Sequence, residues 1–241
     1  MKTRTFRGRA LLTGVASLLM LVVVADPAAA APGPASSYGA LVNVTVAGIG
    51  VNVGPTPVST VGSSPNNIAS LNIPGVLSTG VITTSATMDN TTGDLASEAS
   101  IAGLNLGLAT TLTADAITAD CTATSSGITG TTTLVNAFLA GSQLAVNPSA
   151  NTVINVTPLI TVTLNEQVNN PDGSLTVNAI HIHLTLPLSS GDIYLSSASC
   201  GPWEAPVPMA SGPGLKLGLG MVGLYGVGLI GLWRRRAHLT V

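Results

Sequence analysis

Apolar and polar positions alternate one for one along the central part of this chain. Ile160, Val162 and Leu164 alternate with Thr161, Thr163 and Asn165; further on, Ile180, Ile182, Leu184 and Leu186 alternate with His181, His183 and Thr185. Successive side chains of a strand point to opposite faces, so each run reads as a half-buried β-strand. Turn signals separate such runs at intervals of about ten residues. NPDG at 170–173 puts Pro at the second and Gly at the fourth position of a type I hairpin turn. MDNTTGD at 88–94 separates GVITTSAT from LASEASIAG, and SSG at 125–127 separates ADCTAT from ITGTTTLVNAF. The pattern predicts an all-β, antiparallel β-sandwich-like domain. A β-solenoid is the alternative, although no exact repeat is present.

The two ends break this pattern. Lys2, Arg4, Arg7 and Arg9 precede an apolar stretch of 16 residues, Ala10 to Ala25. Ala28 and Ala30 supply the small-x-small pattern of a signal-peptidase site, with the cut expected between Ala30 and Ala31. As a helix the stretch spans only about 24 Å, short of a hydrocarbon core of roughly 30 Å. At the other end, Leu215 to Trp233 forms a 19-residue apolar run followed by Arg234, Arg235 and Arg236. That run is about 28 Å long as a helix and can span a bilayer. The positive-inside rule puts the three arginines in the cytoplasm and the preceding chain outside.

The expected layout is a signal peptide at 1–30, a short segment at 31–37 and a β-rich ectodomain at 38–201. A Pro/Gly linker at 202–214, a transmembrane helix at 215–233 and a basic tail at 234–241 complete it.

Charge then becomes informative. Every Lys and Arg of the chain lies at positions 2, 4, 7, 9, 216, 234, 235 or 236. After the expected signal peptide, nine acids occupy the region between: Asp89, Asp94, Glu98, Asp115, Asp120, Glu166, Asp172, Asp192 and Glu204. Without Lys or Arg to displace counterions from phosphates, nucleic acid is excluded as a partner. The membrane, through the C-terminal helix, and a sorting peptidase are the candidate partners. Outside the ends, the aromatic residues are only Tyr38, Phe138, Tyr194 and Trp203, so Val, Ile, Leu and Ala must build the core.

The two cysteines, Cys121 and Cys200, are expected to pair in an exported chain. On the alternating strand at 180–186, the apolar residues face the core and both imidazoles share the opposite face. Two histidines at i and i+2 can share a metal ion, with Glu166 across the hairpin as the third ligand. The simpler reading is two solvent-facing histidines on a polar sheet face. No cofactor is implied. Nor is an enzyme expected: there is no GxSxG elbow and no aromatic platform for sugars. DNTTGD lacks the ligand density of a calcium loop and reads as a turn. LPLSSG at 186–191 superficially echoes a sortase motif, but it lies between two strands.

Five segments carry a resemblance: LTADAITADCTA (112–123), TTLVNAFLAGSQLAV (132–146), VTLNEQ (162–167), DGSLTVNAIHI (172–182) and GDIYLSSASCG (191–201). Together they resemble the choice-of-anchor P family of bacterial surface proteins, over about Tyr38 to Gly201. The resemblance implies an exported protein with a C-terminal anchor and implies no chemistry. It places Cys121, His181 and Cys200 at family positions. PVPMASGPG at 206–214, with the apolar run and the arginines, is similar in layout to PEP- and IPTL-type sorting signals. Neither tripeptide is present, and a plain membrane anchor accounts for the same residues.

Overall fold

A computed structural model describes residues 35–108 and 111–206, and every regular element among them is a β-strand. The expected signal peptide with its Ala30–Ala31 cut, the apolar run at 215–233, and Arg234, Arg235 and Arg236 lie outside the described residues. In chain order the strands are β1 (Ser36–Val46), β2 (Ile49–Thr60), β3 (Asn66–Ile68), β4 (Leu71–Ile73) and β5 (Leu77–Thr79). They continue with β6 (Ile82–Met88), β7 (Leu95–Leu106), β8 (Leu112–Thr124), β9 (Gly127–Val135) and β10 (Phe138–Leu139). The last are β11 (Ser142–Gln143), β12 (Thr152–Thr157), β13 (Ile160–Asn169), β14 (Leu175–Leu186) and β15 (Ser189–Cys200).

Two antiparallel sheets face each other across one core. The first has six strands in the order β12-β13-β14-β15-β1-β2; the second has nine, centred on β7 and β8. β14 and β15 pack across the core on β7, β8 and β9, and β1 and β2 pack on β6. The architecture is sandwich-like, with the sheets not closed into a barrel. The solenoid alternative is set aside, because antiparallel hairpins, rather than stacked parallel coils, connect the long strands.

The sequence's turn chemistry accounts for those hairpins. At NPDG, the Gly173 amide donates to the Asn170 carbonyl at 3.0 Å, and Gly173 takes φ +84°. In DNTTGD, Asp89 Oδ1 accepts from the Thr91 and Thr92 amides at 2.7 and 3.2 Å, which holds the turn without a metal ion. Ser125 and Ser126 alone connect β8 to β9, with Thr124 opposite Gly127. At the β1–β2 turn, Ala47 and Gly48 both have positive φ, the signature of a tight I′ hairpin.

The core is aliphatic, as the composition requires. Ile82, Ile101, Leu106, Leu112, Ile117, Leu134, Ile180, Ile182, Ile193 and Leu195 are fully buried, and among the described residues no aromatic side chain is buried. Cys121 on β8 and Cys200 at the end of β15 are disulfide-bonded, with Cα atoms 5.7 Å apart. The bond joins one sheet to the other. The strands run from Ser36 to Cys200, against an expected β-rich segment of 38–201. β1 begins at Ser36, ahead of Tyr38, and Trp203 of the expected linker docks on the β6–β7 turn. Its indole Nε1–H reaches Asp94 Oδ1 at 3.0 Å and the Thr92 carbonyl at 3.2 Å.

A transverse line interrupts the pleat across four strands of the six-stranded sheet. The ladders skip one residue on each of four neighbouring strands, Asn165 (β13), Ala179 (β14), Ser196 (β15) and Gly39 (β1), and the pairs on either side put these four level with one another. Asn165 and Ser196 adopt φ +49° and +50°. A left-handed residue inside a strand rotates the chain, so the inward-facing set changes parity at Asn165 on β13 and at Ser196 on β15, and the burial pattern of β14, paired between them, changes at the same level. On β14, Ile180, Ile182 and Leu184 face inward on one side of it, and Leu175 and Val177 on the other. On β15 the inward set changes from Ile193 and Leu195 to Ala198 and Cys200. The inward polar side chains at the line find partners on the opposing side. Ser196 Oγ donates to the Ile117 carbonyl at 3.2 Å, and Asn165 Nδ2 donates to the Pro148 carbonyl at 2.9 Å.

Candidate functional site

The parity change assembles a polar cluster on the outer face of the six-stranded sheet. Counting by twos from Ile160, Val162 and Leu164 would send Glu166 into the core. The left-handed turn at Asn165 sends it outward instead, while Gln167 turns in and donates to the Gly130 carbonyl at 2.8 Å. Glu166 lies opposite Asn178, whose Nδ2 donates to Glu166 Oε2 at 2.8 Å. The other carboxylate oxygen, Oε1, meets His181 Nδ1 at 2.8 Å. On the far side of the ring, His181 Nε2 meets Asp192 Oδ1 at 3.1 Å, and the same oxygen meets His183 Nδ1 at 2.7 Å. A continuous row, Glu166–His181–Asp192–His183, thus crosses β13, β14 and β15. Tyr194, opposite His181 on β15, stacks on its ring with centroids 4.2 Å apart and planes 16° from parallel.

A carboxylate only accepts hydrogen bonds, so an imidazole held between two of them must carry hydrogen on both nitrogens. His181 therefore sits as the imidazolium. Burial by itself would lower its pKa; the hydrogen bonds and charges of Glu166 and Asp192 outweigh that, and the pKa stands above the ordinary histidine value. The carboxylates respond in kind. Burial pushes Glu166 up, but the bonds from His181 and Asn178 hold it below the usual range. Burial likewise opposes the bonds from His183 and His181 at Asp192, and again the net direction is down. Burial raises the phenols of Tyr38 and Tyr194, and nearby carboxylates raise them further.

The three residues expected as metal ligands, His181, His183 and Glu166, do share this face. They do not converge on a common point. Both His181 nitrogens are occupied by carboxylates, Asp192 is interposed between the two rings, and a protonated imidazole offers no lone pair to a metal. Among the described residues no group of three or more His, Cys, Asp or Glu is arranged to hold a metal ion. Two depressions lie on the other sheet. One of about 400 Å³ is lined by Asp115, Asn136 and Phe138 among others, and two of its polar side chains are paired, Asn136 Nδ2 to Asp115 Oδ2 at 2.7 Å.

Asp192, Asn178 and Tyr194 were not singled out as site residues by sequence reasoning. The signal for Asp192 is its place in the β14–β15 hairpin, where Leu186 pairs with Ser189 and His183 therefore faces Asp192. One atom of the cluster has no partner: Asn178 Oδ1 is buried and accepts no hydrogen bond. No protein-family model, curated protein or solved structure matches this chain.

Proposed function

We propose that this is an exported surface protein, held at a membrane by its C-terminal apolar run, whose β domain has a structural or adhesive role. The resemblance to choice-of-anchor P surface proteins belongs to the same reading. The observation that carries it is the polarity of the six-stranded sheet. The chain enters at Ser36 and leaves at Cys200, side by side at one end of that sheet. The hairpin tips Ala47–Gly48, Pro158–Leu159 and Pro187–Leu188 lie at the other end. Among the described residues, the two most exposed large apolar side chains, Ile49 (70%) and Leu188 (71%), flank or occupy adjacent tips there. A domain tethered beyond Cys200 presents that end away from its anchor. The inter-sheet disulfide and the absence of Lys and Arg from the β-strands suit an exported acidic domain.

Deleting residues 215–241 tests the anchor. The expected result is a folded, disulfide-bonded domain released from the membrane fraction. Full-length chain that stays soluble after fractionation with its tail intact would overturn the reading. If a sorting peptidase acts, the mature mass ends near Ser211 and the peptide GLWRRR is absent.

A second reading makes the His181/His183 face a small-ligand or metal-binding module. The unpartnered Asn178 Oδ1 beside Glu166 favours a ligand that donates a hydrogen bond. Elemental analysis of the purified protein tests the metal form. Substoichiometric metal in protein purified without chelator would sink that form.

A further inference from the structure

The free edges of the two sheets are not equivalent. An edge strand presents unpaired amides and carbonyls, and proteins ordinarily guard such edges with Lys, Pro, bulges or covering groups. Lys is absent from this domain, so other devices must serve. On β2, Pro55 and Pro57 remove two amide donors. On β9, Gln167 Nε2 caps the Gly130 carbonyl at 2.8 Å, and the Leu134 amide donates to the Val146 carbonyl at 2.7 Å. The remaining edge pieces β3, β4 and β11 run to three residues or fewer. β12 differs. It is six residues long, TVINVT, without charge or proline, and it pairs only with β13 among the described residues.

Its hydrogen-bond parity is readable. The Asn151 amide donates to the Asn165 carbonyl at 2.8 Å, so Asn151, Val153 and Asn155 direct their backbone groups to β13. Thr152 and Ile154 then direct theirs outward. An irregularity between Asn155 and Thr157 ends the regular ladder, leaving 151–155 as the usable edge. Its midpoint is Val153, 56% exposed on the outer face. A twofold axis at Val153, perpendicular to the sheet, pairs Thr152 with Ile154 of a copy through the free backbone groups. It also brings Val153 against its own equivalent at a close, non-hydrogen-bonded position. The facing edge residues carry no acid, so two copies of an otherwise wholly acidic domain meet there without like charges opposed.

We propose that β12 pairs antiparallel with β12 of a second copy of this chain, centred on Val153, to make a continuous twelve-stranded sheet. The antiparallel twofold has a further consequence, which rests on the anchored reading above. It places the two Cys200 ends at opposite ends of the joined sheet. Two such domains therefore bridge opposed membranes rather than lie side by side on one, so the role is adhesive.

Val153→Cys in the full-length chain, solubilised in detergent and mildly oxidised, tests the pairing. Directly opposed non-hydrogen-bonded positions, with Cα atoms about 4.5 Å apart, are near enough to bridge. The expected result is a covalent dimer that reduction reverses, with Val81→Cys on the other sheet remaining monomeric. Ile154→Pro and Thr152→Pro, introduced beside Val153→Cys, each remove an outward amide and spare the β12–β13 ladder, so the dimer should be lost while the Cys121–Cys200 bond is kept. No dimer with Val153→Cys, or equal dimer with Val81→Cys, overturns the pairing. The bridging arm uses two vesicle populations carrying differently tagged full-length Val153→Cys chain. Cross-links joining the two tags are expected after mixing. Cross-links confined to single populations overturn the bridging arrangement and leave the pairing standing. Chain that fails to stay with either vesicle overturns the anchor, which the detergent experiment does not require.

Discussion

Glu166 lies opposite Asn178 in the strand register, yet its carboxylate also closes on the ring of His181, three positions farther along β14, at 2.8 Å. The contact exists because Asn165 turns left-handed between Leu164 and Glu166. It ties β13 to β14, and Asp192 continues the tie to β15. No described Lys or Arg exists to make such a tie, so the domain's cross-strand ion pairs rest on histidine.

That dependence predicts a two-sided pH profile. The His181 pKa is raised on folding, so its contribution is full below the unfolded histidine value and is lost as pH rises through the folded one. Glu166 and Asp192 are lowered, so theirs is present above the unfolded carboxylate value, about pH 4, and is lost as pH falls through the folded values. Stability should therefore plateau between about pH 4 and about pH 6.5, the unfolded carboxylate and histidine values, and decline on both sides, the alkaline decline running up to the raised histidine value. His181→Gln should remove the alkaline decline at a loss of about 1–2 kcal/mol on the plateau. Thermal melts of both proteins across pH check this, and an unchanged alkaline decline in His181→Gln contradicts it.

The left-handed position itself gives the second prediction. Asn165 both adopts φ +49° and uses its side chain, accepting from Thr132 Oγ1 at 3.3 Å and donating to the Pro148 carbonyl. Asn165→Gly keeps the conformation and loses the bonds; Asn165→Val loses both and adds β-branched strain. Denaturant unfolding should rank Val as more destabilising than Gly, with Val costing about 3 kcal/mol or more. Equal destabilisation by the two would mean that the side-chain bonds, which both variants lose, and not the backbone turn, hold the site.

Legibility in the sequence follows the same division. Alternation at 160–164 and 180–184 marks strands directly, and NPDG, DNTTGD and SSG mark their turns, because these signals are local. The HxH pair is visible for the same reason. The parity change is not, since Asn165, Ala179, Ser196 and Gly39 meet on one line only after four strands have paired. Neither Ala179 nor Ser196 advertises a break in the pleat. Asp192 likewise joins the cluster through register, and the reach of Trp203 depends on where β15 ends. The metal expectation for His181, His183 and Glu166 drew on spacing alone, which places side chains on a face but says nothing of a carboxylate between them.

The disulfide yields a third prediction. Cys121 and Cys200 are separated by 79 residues, and chain-entropy arguments give a bond closing such a loop about 4.5 kcal/mol as a ceiling. Cys121→Ser and Cys200→Ser should lower the melting temperature alike, and the double variant little further, because each breaks the same bond. Alkylation of native protein should label no thiol, and reduction should expose two. Reactive thiols in the oxidised native chain contradict the pairing.

The final prediction concerns the last described contact before the chain leaves the domain. The Trp203 indole binds Thr92 and Asp94, and the backbone beside it passes so close to Gly93 that a Cβ there would collide with the Glu204 carbonyl. Gly93 also holds φ +77°, where an L side chain is strained. Gly93→Ala should therefore undock the Trp203 strap in addition to straining the turn, whereas Asp94→Asn weakens one hydrogen bond and leaves the strap seated. Trp203 fluorescence, read in a Trp233→Phe background, reports the difference: Gly93→Ala should shift the emission to the red and increase quenching by iodide, and Asp94→Asn should change neither by much. An unshifted Gly93→Ala spectrum would mean that the strap follows the turn as it relaxes, and that the folded domain ends with Trp203 held by packing rather than by its fit against Gly93.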